Sequence, residues 1–260
     1  MDMRLQDRKV LITGASQGIG AGLARAFAAE GCELFLVARS ADKLESLAAE
    51  VHGRHAVPVH LLQLDMTAPG SIERIMDFAG GAEVLVNNAG SIPGGNLWDV
   101  DEEAWRRGWE LKVFGYINLT RAMHRSMQRR GGGVILNNIG NGGENFDYDY
   151  IAGSTGNAAL MAFTRALGGR SLEHNIRVVG VNPGPVDTDR ITKVLKSHAQ
   201  HRLGDAARYP ELLSNYPRGR AASVAEIADL FVFLASDHSA YTSGAIFTVD
   251  GGITSKRSIS

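Results

Sequence analysis

Gly14, Gly18 and Gly20 of TGASQGIG lie between an apolar run and an amphipathic one. Glycines placed this way let backbone N–H groups approach a pyrophosphate, and a helix that follows turns its positive N-terminal end toward the negative charge. With Ser16, Gln17 and Ile19 between the glycines, the stretch is a candidate dinucleotide cradle, spaced G-x3-G-x-G rather than G-x-G-x-x-G. About 20 residues beyond such a loop, an acid would bind a ribose 2′-OH and an arginine a 2′-phosphate. Here LVARS puts Ala38 at the acidic position, and Arg39 follows. A guanidinium makes two parallel charge-assisted bonds to a phosphate. The pair therefore favours NADP(H), with NAD(H) possible.

A loop and an arginine so far apart meet only if strands end at one edge of a sheet. Short apolar runs recur at 9–14, 33–39, 59–65, 82–90, 133–140, 176–184 and 245–252. Amphipathic stretches separate them at 18–31, 43–51, 102–130, 151–173 and 223–236. Continuous rather than alternating runs fit strands buried on both faces. The alternation predicts right-handed crossovers and an α/β, doubly wound parallel sheet. Ser223 and Glu226 form a capping box for the last helix. No repeat or linker divides residues 1–260, which read as a single domain. The region at about 185–220, with Pro185, Pro210 and Pro217, reads as irregular and as a substrate loop at about 188–218.

Composition narrows the function classes. The chain is 44% hydrophobic and 21% charged, with a net charge of −1 and no long basic run, which argues against nucleic acid. No apolar run approaches the roughly 20 residues of a membrane span. Cys32 is the only cysteine, so no intramolecular disulfide forms. These features point to a soluble, cytoplasmic protein without a membrane partner.

TGASQGIG, LLQLD ending in Asp65, NNAG at 87–90, NPGPVDT at 182–188 and YTSGAIFTVDGG stand in that order along the chain. With this set the sequence resembles the short-chain dehydrogenase/reductase family over nearly its whole length. The resemblance implies a seven-stranded Rossmann sheet, a nicotinamide cofactor and a homo-oligomer, tetramer or dimer. It implies cofactor contacts from Gly14, Ser16, Gln17, Gly18, Ile19 and Gly20, and from Asp65 at the adenine. Asn88, Ala89 and Gly90 of NNAG, Pro183, Gly184 and Val186, Thr188 near the carboxamide, and Tyr150 complete the implied set.

The family's chemistry is hydride transfer between the nicotinamide and a carbonyl or alcohol carbon. A Tyr exchanges the proton, a Lys four residues on supplies charge and binds ribose, a Ser steadies the substrate oxygen, and an Asn on the central helix links the Lys to water. Free tyrosine ionises near pH 10, so a neighbouring cation matters. The chain departs from this pattern three times. Tyr150 opens Y-I-A-G-S, which sets Ser154 at the lysine position; the rival Tyr148 would set Ala152 there. No Ser or Thr occurs from Met127 to Gly153, so the family's Ser is absent. The usual interval back from Tyr150 reaches Asn137, and the strand end points to Asn138 or Ile139. An Asn amide can donate to a substrate oxygen, or these residues only tie loops together. In WELKVFGYINLTRA, Lys112 stands where the family has Asn.

Two expectations follow. One is an atypical NADP(H)-dependent oxidoreductase acting on a small-molecule carbonyl or secondary alcohol, with Tyr150 as acid/base and Lys112 as a displaced cation. The other is an NADP(H)-binding sensor or assembly subunit without turnover. His198 and His201 have helical spacing but no carboxylate or Cys nearby, which reads as a surface pair and not a metal site. His52, His55 and His60 read as solvated, and Trp98, Trp105 and Trp109 as packing around the central helix.

Overall fold

The computed structural model describes residues 2–256, and the side chains of all of these except Ser197, His198, His201 and Arg202. The HAQH histidines therefore lie outside the described side chains. Seven strands form one parallel sheet in the order β3-β2-β1-β4-β5-β6-β7. They are β1 (Lys9–Thr13), β2 (Glu33–Ala38), β3 (Val59–Gln63), β4 (Val84–Asn87), β5 (Gly133–Asn138), β6 (Ile176–Pro183) and β7 (Ile246–Val249). Connecting them are α1 (Gly18–Ala29), α2 (Ala41–His52), α3 (Ser71–Ala79), α4 (Glu102–Trp109), α5 (Gly115–Arg130), α6 (Ile151–Ser171), α7 (Asp189–Leu203) and α8 (Val224–Ala235). The strand order reverses between β1 and β4, and ligands of open α/β sheets bind in the crevice outside the strand ends at such a switch point.

Successive strand residues face opposite sides, so one run feeds two cores. Val10, Ile12, Leu34, Leu36 and Val86 pack with Phe27 of α1 and Phe231 of α8. Leu11, Leu85 and Ile135 pack with Ile75 of α3 and Leu119 and Met123 of α5. All these side chains are fully buried, which is why the strands read as unbroken apolar runs. Ser223 accepts from the Glu226 N–H at 3.1 Å while the Glu226 carboxylate accepts from the Ser223 N–H at 2.7 Å, closing the expected capping box.

Three expectations change. The stretch 102–130 is not one regular helix, because a π-helical turn over Glu110–Phe114 joins α4 to α5. The region 185–220 is not irregular. It holds the 15-residue α7 and 3-10 turns over Ala206–Asn215 and Pro217–Gly219. Leu195 and Ala199, one turn apart, give α7 a buried stripe, and the prolines lie outside it. Trp98 does not pack around the central helix, being 85% exposed, whereas Trp105 and Trp109 lie 6.4 Å apart between ring centroids. His60 is exposed as expected and also stacks on Phe35 and bonds Glu33. No described helix is long and apolar enough to cross a membrane.

Candidate active site

The glycine loop is fastened to the neighbouring strands by hydrogen bonds from β4. Thr13 Oγ1 accepts from the N–H groups of Asn88 and Ala89 at 3.0 and 3.1 Å. Asn88 Nδ2 donates back to the Thr13 and Gly14 carbonyls. Asn138 Nδ2 then donates to Asn88 Oδ1 at 2.7 Å, which carries the network to β5. Gly14 has φ +64°, and a Cβ there would meet Ala89 Cα at 2.8 Å, so a larger residue would push the loop off β4. A Cβ on Gly20 would collide with the Gly14 carbonyl, so this glycine lets α1 close onto its own loop.

The N-terminus of α1 stands open. Gln17 holds the N-cap position without a side-chain capping bond, and its amide oxygen instead accepts from Lys43 Nζ at 2.7 Å. With no acid in the first turn, neither a side chain nor a local charge answers the positive end of the helix. Ser16 and Ile19 lie half-buried on either side. Arg39, exposed just past β2, makes no ion pair among the described residues. Asp65 accepts from the Thr67 N–H and hydroxyl, which hold its carboxyl below the usual range, with Arg39 adding a weaker attraction.

The loop after β6 closes the opposite side. Thr188 holds the N-cap position of α7 without a side-chain capping bond, its hydroxyl donates instead to the Val186 carbonyl at 3.2 Å, and its Cγ2 lies nearest to where a Gly18 Cβ would sit. Gly184 follows the buried Pro183, and a Cβ there would meet Asp250 at 2.7 Å. The cradle, the open helix end, the exposed Arg39 and the facing Thr188 fit a dinucleotide. Space where side chains would stand and backbone donors without side-chain partners are what a pyrophosphate needs.

The other half of the site is built differently. Tyr150 holds the N-cap position of α6 and folds its ring back over its own helix. A Cβ on Gly153 would fall on that ring, so Tyr150 occupies the space a side chain at 153 would take. Four residues beyond 153 is Asn157, which is only 3% exposed and whose Oδ1 has no partner. The spacing that pairs Tyr150 with Ser154 in the sequence marks neither Gly153 nor Asn157. Ser154 is buried and its hydroxyl accepts from the Asp147 N–H at 3.3 Å, so it braces the preceding loop. Asn137 is also committed: its Oδ1 accepts from Asn87 and its Nδ2 donates to Thr164, in the interior of the fold. Asn138 is tied to Asn88, while its carbonyl accepts from the Tyr116 hydroxyl at 2.9 Å.

Lys112 lies on the π-helical turn and is 9% exposed. Its stem passes the place where a Cβ on Gly90 would stand, so the last residue of NNAG clears its path. Nζ donates to the Ile139 carbonyl at 2.5 Å. Burial first, and then repulsion from Arg190, bring Lys112 down from its ordinary 10.5 to about 7. Arg190, in the first turn of α7, was not singled out from the sequence. Its Nη2 donates to Tyr150 Oη at 3.3 Å. No hydrogen bond joins Lys112 to Tyr150, so the side chain touching the phenol is the arginine.

A family model described as enoyl-(acyl carrier protein) reductase matches residues 14–254. Oxidoreductase UcpA of Salmonella typhimurium is 32% identical, over 99% of this chain and 98% of its own length. The structure of L-sorbose reductase from Gluconobacter frateurii, complexed with NADPH and L-sorbose, superposes with a TM-score of 0.91 at 33% identity, over 99% of this chain and 100% of that one. A 7-alpha-hydroxysteroid dehydrogenase complexed with NADH and 7-oxo glycochenodeoxycholic acid superposes at 0.85 with 28% identity, over 96% of each chain.

Proposed function

Because this chain belongs to the short-chain dehydrogenase/reductase family, we propose that it is an atypical NADP(H)-dependent oxidoreductase acting on a carbonyl or secondary alcohol. The observation that carries the reading is a phenol held against a guanidinium, Tyr150 and Arg190, in a fold that keeps an open glycine cradle. Bound nicotinamide supplies or takes up the hydride. The residues of the chain do the rest. Gly14, Ser16, Gln17, Gly18, Ile19 and Gly20 would hold the pyrophosphate on backbone donors, and Arg39 the 2′-phosphate that distinguishes NADP(H) from NAD(H). Asp65 and Asn88–Gly90 line the adenosine side, and Pro183, Gly184, Val186 and Thr188 the nicotinamide side. Tyr150 exchanges the proton at the substrate oxygen. Lys112, buried against the Ile139 carbonyl and with a proton affinity close to neutral pH, is suited to exchange protons in the site. Asn138 gives its amide nitrogen to Asn88 and so steadies the cofactor loop. Asn137, bonded to Asn87 and Thr164 in the interior, serves the scaffold.

Two measurements test this reading. One is direct titration with NADPH and NADH; the other is NADPH consumption over a panel of ketones and aldehydes. NADPH should bind more tightly, and Arg39→Asp should erase or invert the preference. Equal or tighter NADH binding by the unaltered protein would reject the cofactor assignment.

A second reading, an NADP(H)-binding protein without turnover, draws support from Ser154 and Asn137, whose polar groups are consumed in bracing loops. NADPH binding with no oxidation on a broad panel would favour it. A homo-oligomer, dimer or tetramer, and a cytoplasmic location complete the proposal. Leu230 and Phe233 of α8 and Phe247 of β7 are only partly buried and suit a subunit contact. Sedimentation as a monomer at micromolar concentration would reject the oligomer.

A further inference from the structure

Arg190 rests on Tyr150 and its charge acts on the buried Lys112, and no carboxylate is in contact with either cation. Lys112 is buried in the π-helical turn, and only one of its three donors is used, on the Ile139 carbonyl. Arg190 uses one donor of five, on Tyr150 Oη. Neither side chain lies within 4.0 Å of an acidic group among the described residues. Asp187 and Asp189 flank Arg190 in the chain, yet neither pairs with it. The charged group whose field is felt at Lys112 is Arg190, another cation. Lys193, one turn along α7, is exposed and likewise without an ion pair. A buried charge is ordinarily paired, because an unpaired ion in an apolar setting is costly, and Lys112 is the buried one of the two. An exposed guanidinium on the phenol and a buried ammonium, both with donors to spare, leave room for a negative charge.

We propose that the substrate carries a carboxylate beside its carbonyl, and that Arg190 and Lys112 receive that carboxylate while Tyr150 faces the carbonyl oxygen. This rests on the oxidoreductase reading and narrows its substrate class to oxo acids and the corresponding hydroxy acids. The Arg190 fork presents parallel N–H donors that match a carboxylate, and its attachment to α7 sets them at the rim. Lys112 adds charge from below. The reaction balances without another reagent. The hydride from NADPH goes to the carbonyl carbon and the Tyr150 proton to its oxygen. The carboxylate is unchanged, and the proton is replaced from solvent.

The test uses the full chain loaded with NADPH. Quenching of NADPH fluorescence and loss of NADPH absorbance are followed with 2-oxobutanoate against 2-oxobutanamide, and with 3-oxobutanoate against 3-oxobutanamide. One member of a pair should bind as the acid about 10- to 100-fold more tightly than as the amide, the scale of one or two charge-assisted bonds. Arg190→Gln, an exposed change that leaves the core intact, should erase the preference while NADPH affinity stays as it was. Arg190→Lys should keep part of it. Lys112→Met should weaken it independently. Amides bound as tightly as the acids, or an acid preference that survives Arg190→Gln, overturn the proposal. Acid-selective binding with no hydride transfer would sustain the anion site and remove the oxidoreductase reading. Reduction of acid and amide alike would do the reverse.

Discussion

Arg177 and Lys112 are both buried cations with no acid in contact, and they are buried to opposite ends. Arg177 sits on β6 at the C-terminal end of α8 and gives Nη1 to the Leu234 carbonyl and Ser239 Oγ, and Nη2 to the Ala235 and Ser236 carbonyls. Those carbonyls have no partners within the helix, and the helix dipole favours a cation there. Burial lowers the proton affinity of Arg177, with Asp237 partly opposing it. Lys112 has one carbonyl and a second cation for company. A buried charge with its donors filled reads as architecture, and one with donors unfilled reads as a place for something else to bind.

Stability measurements should separate the two sharply. Arg177→Met removes the guanidinium from four acceptors at the end of α8 and should cost on the order of 3 kcal/mol, read by denaturant unfolding. Lys112→Met removes a charge that burial penalises and leaves one carbonyl unanswered. It should change stability by no more than about 1 kcal/mol, while turnover falls by about 10²-fold or more, the scale of acid–base assistance. A loss comparable to that of Arg177→Met would show that Lys112 is architectural as well.

The pH dependence sharpens the contrast. The folded-state proton affinity of Lys112 is depressed, so between about 7 and its ordinary 10.5 the unfolded chain holds more protons than the native one. Stability therefore rises with pH across that window, and the cost of the buried ammonium is fully present below about 7. Unfolding of the unaltered protein compared with Lys112→Met should show this slope only when the lysine is present. The smallest expected change is Arg190→Gln, exposed at the rim, within about 0.5 kcal/mol in stability. A larger loss would mean that Arg190 holds α7 in place.

The cofactor half was legible in the sequence because its chemistry is local. Glycines at 14, 18 and 20 act through their own backbone, and Asn88 reaches a loop that the strand order brings beside it. The catalytic half was not, because its contacts join distant positions. Arg190 meets Tyr150 across 40 residues, and the ring of Tyr150 lies over Gly153 rather than pointing away along α6. Counting from Tyr150 to Ser154 assumed that a side chain works at its own Cα; a residue at a helix entrance can reach back over the next turn. Asn137 looked available because its neighbours Asn87 and Thr164 come from other elements. Prolines at 185, 210 and 217 drew attention from the helix between the first two.

The π-helical turn over Glu110–Phe114 is the signature of one residue too many in an otherwise regular helix. Deleting a single residue there would restore a regular helix with both flanks still seated, whereas the same extra residue carried in a regular helix would rotate α5 by about 100° relative to α4. That rotation would take Leu119 and Met123 off the core face of α5. The extra residue thus lets this stretch change which side chain it offers the site while both flanking helices keep their seats. In an evolving lineage, one insertion is a shorter route to a new chemistry than rebuilding a helix.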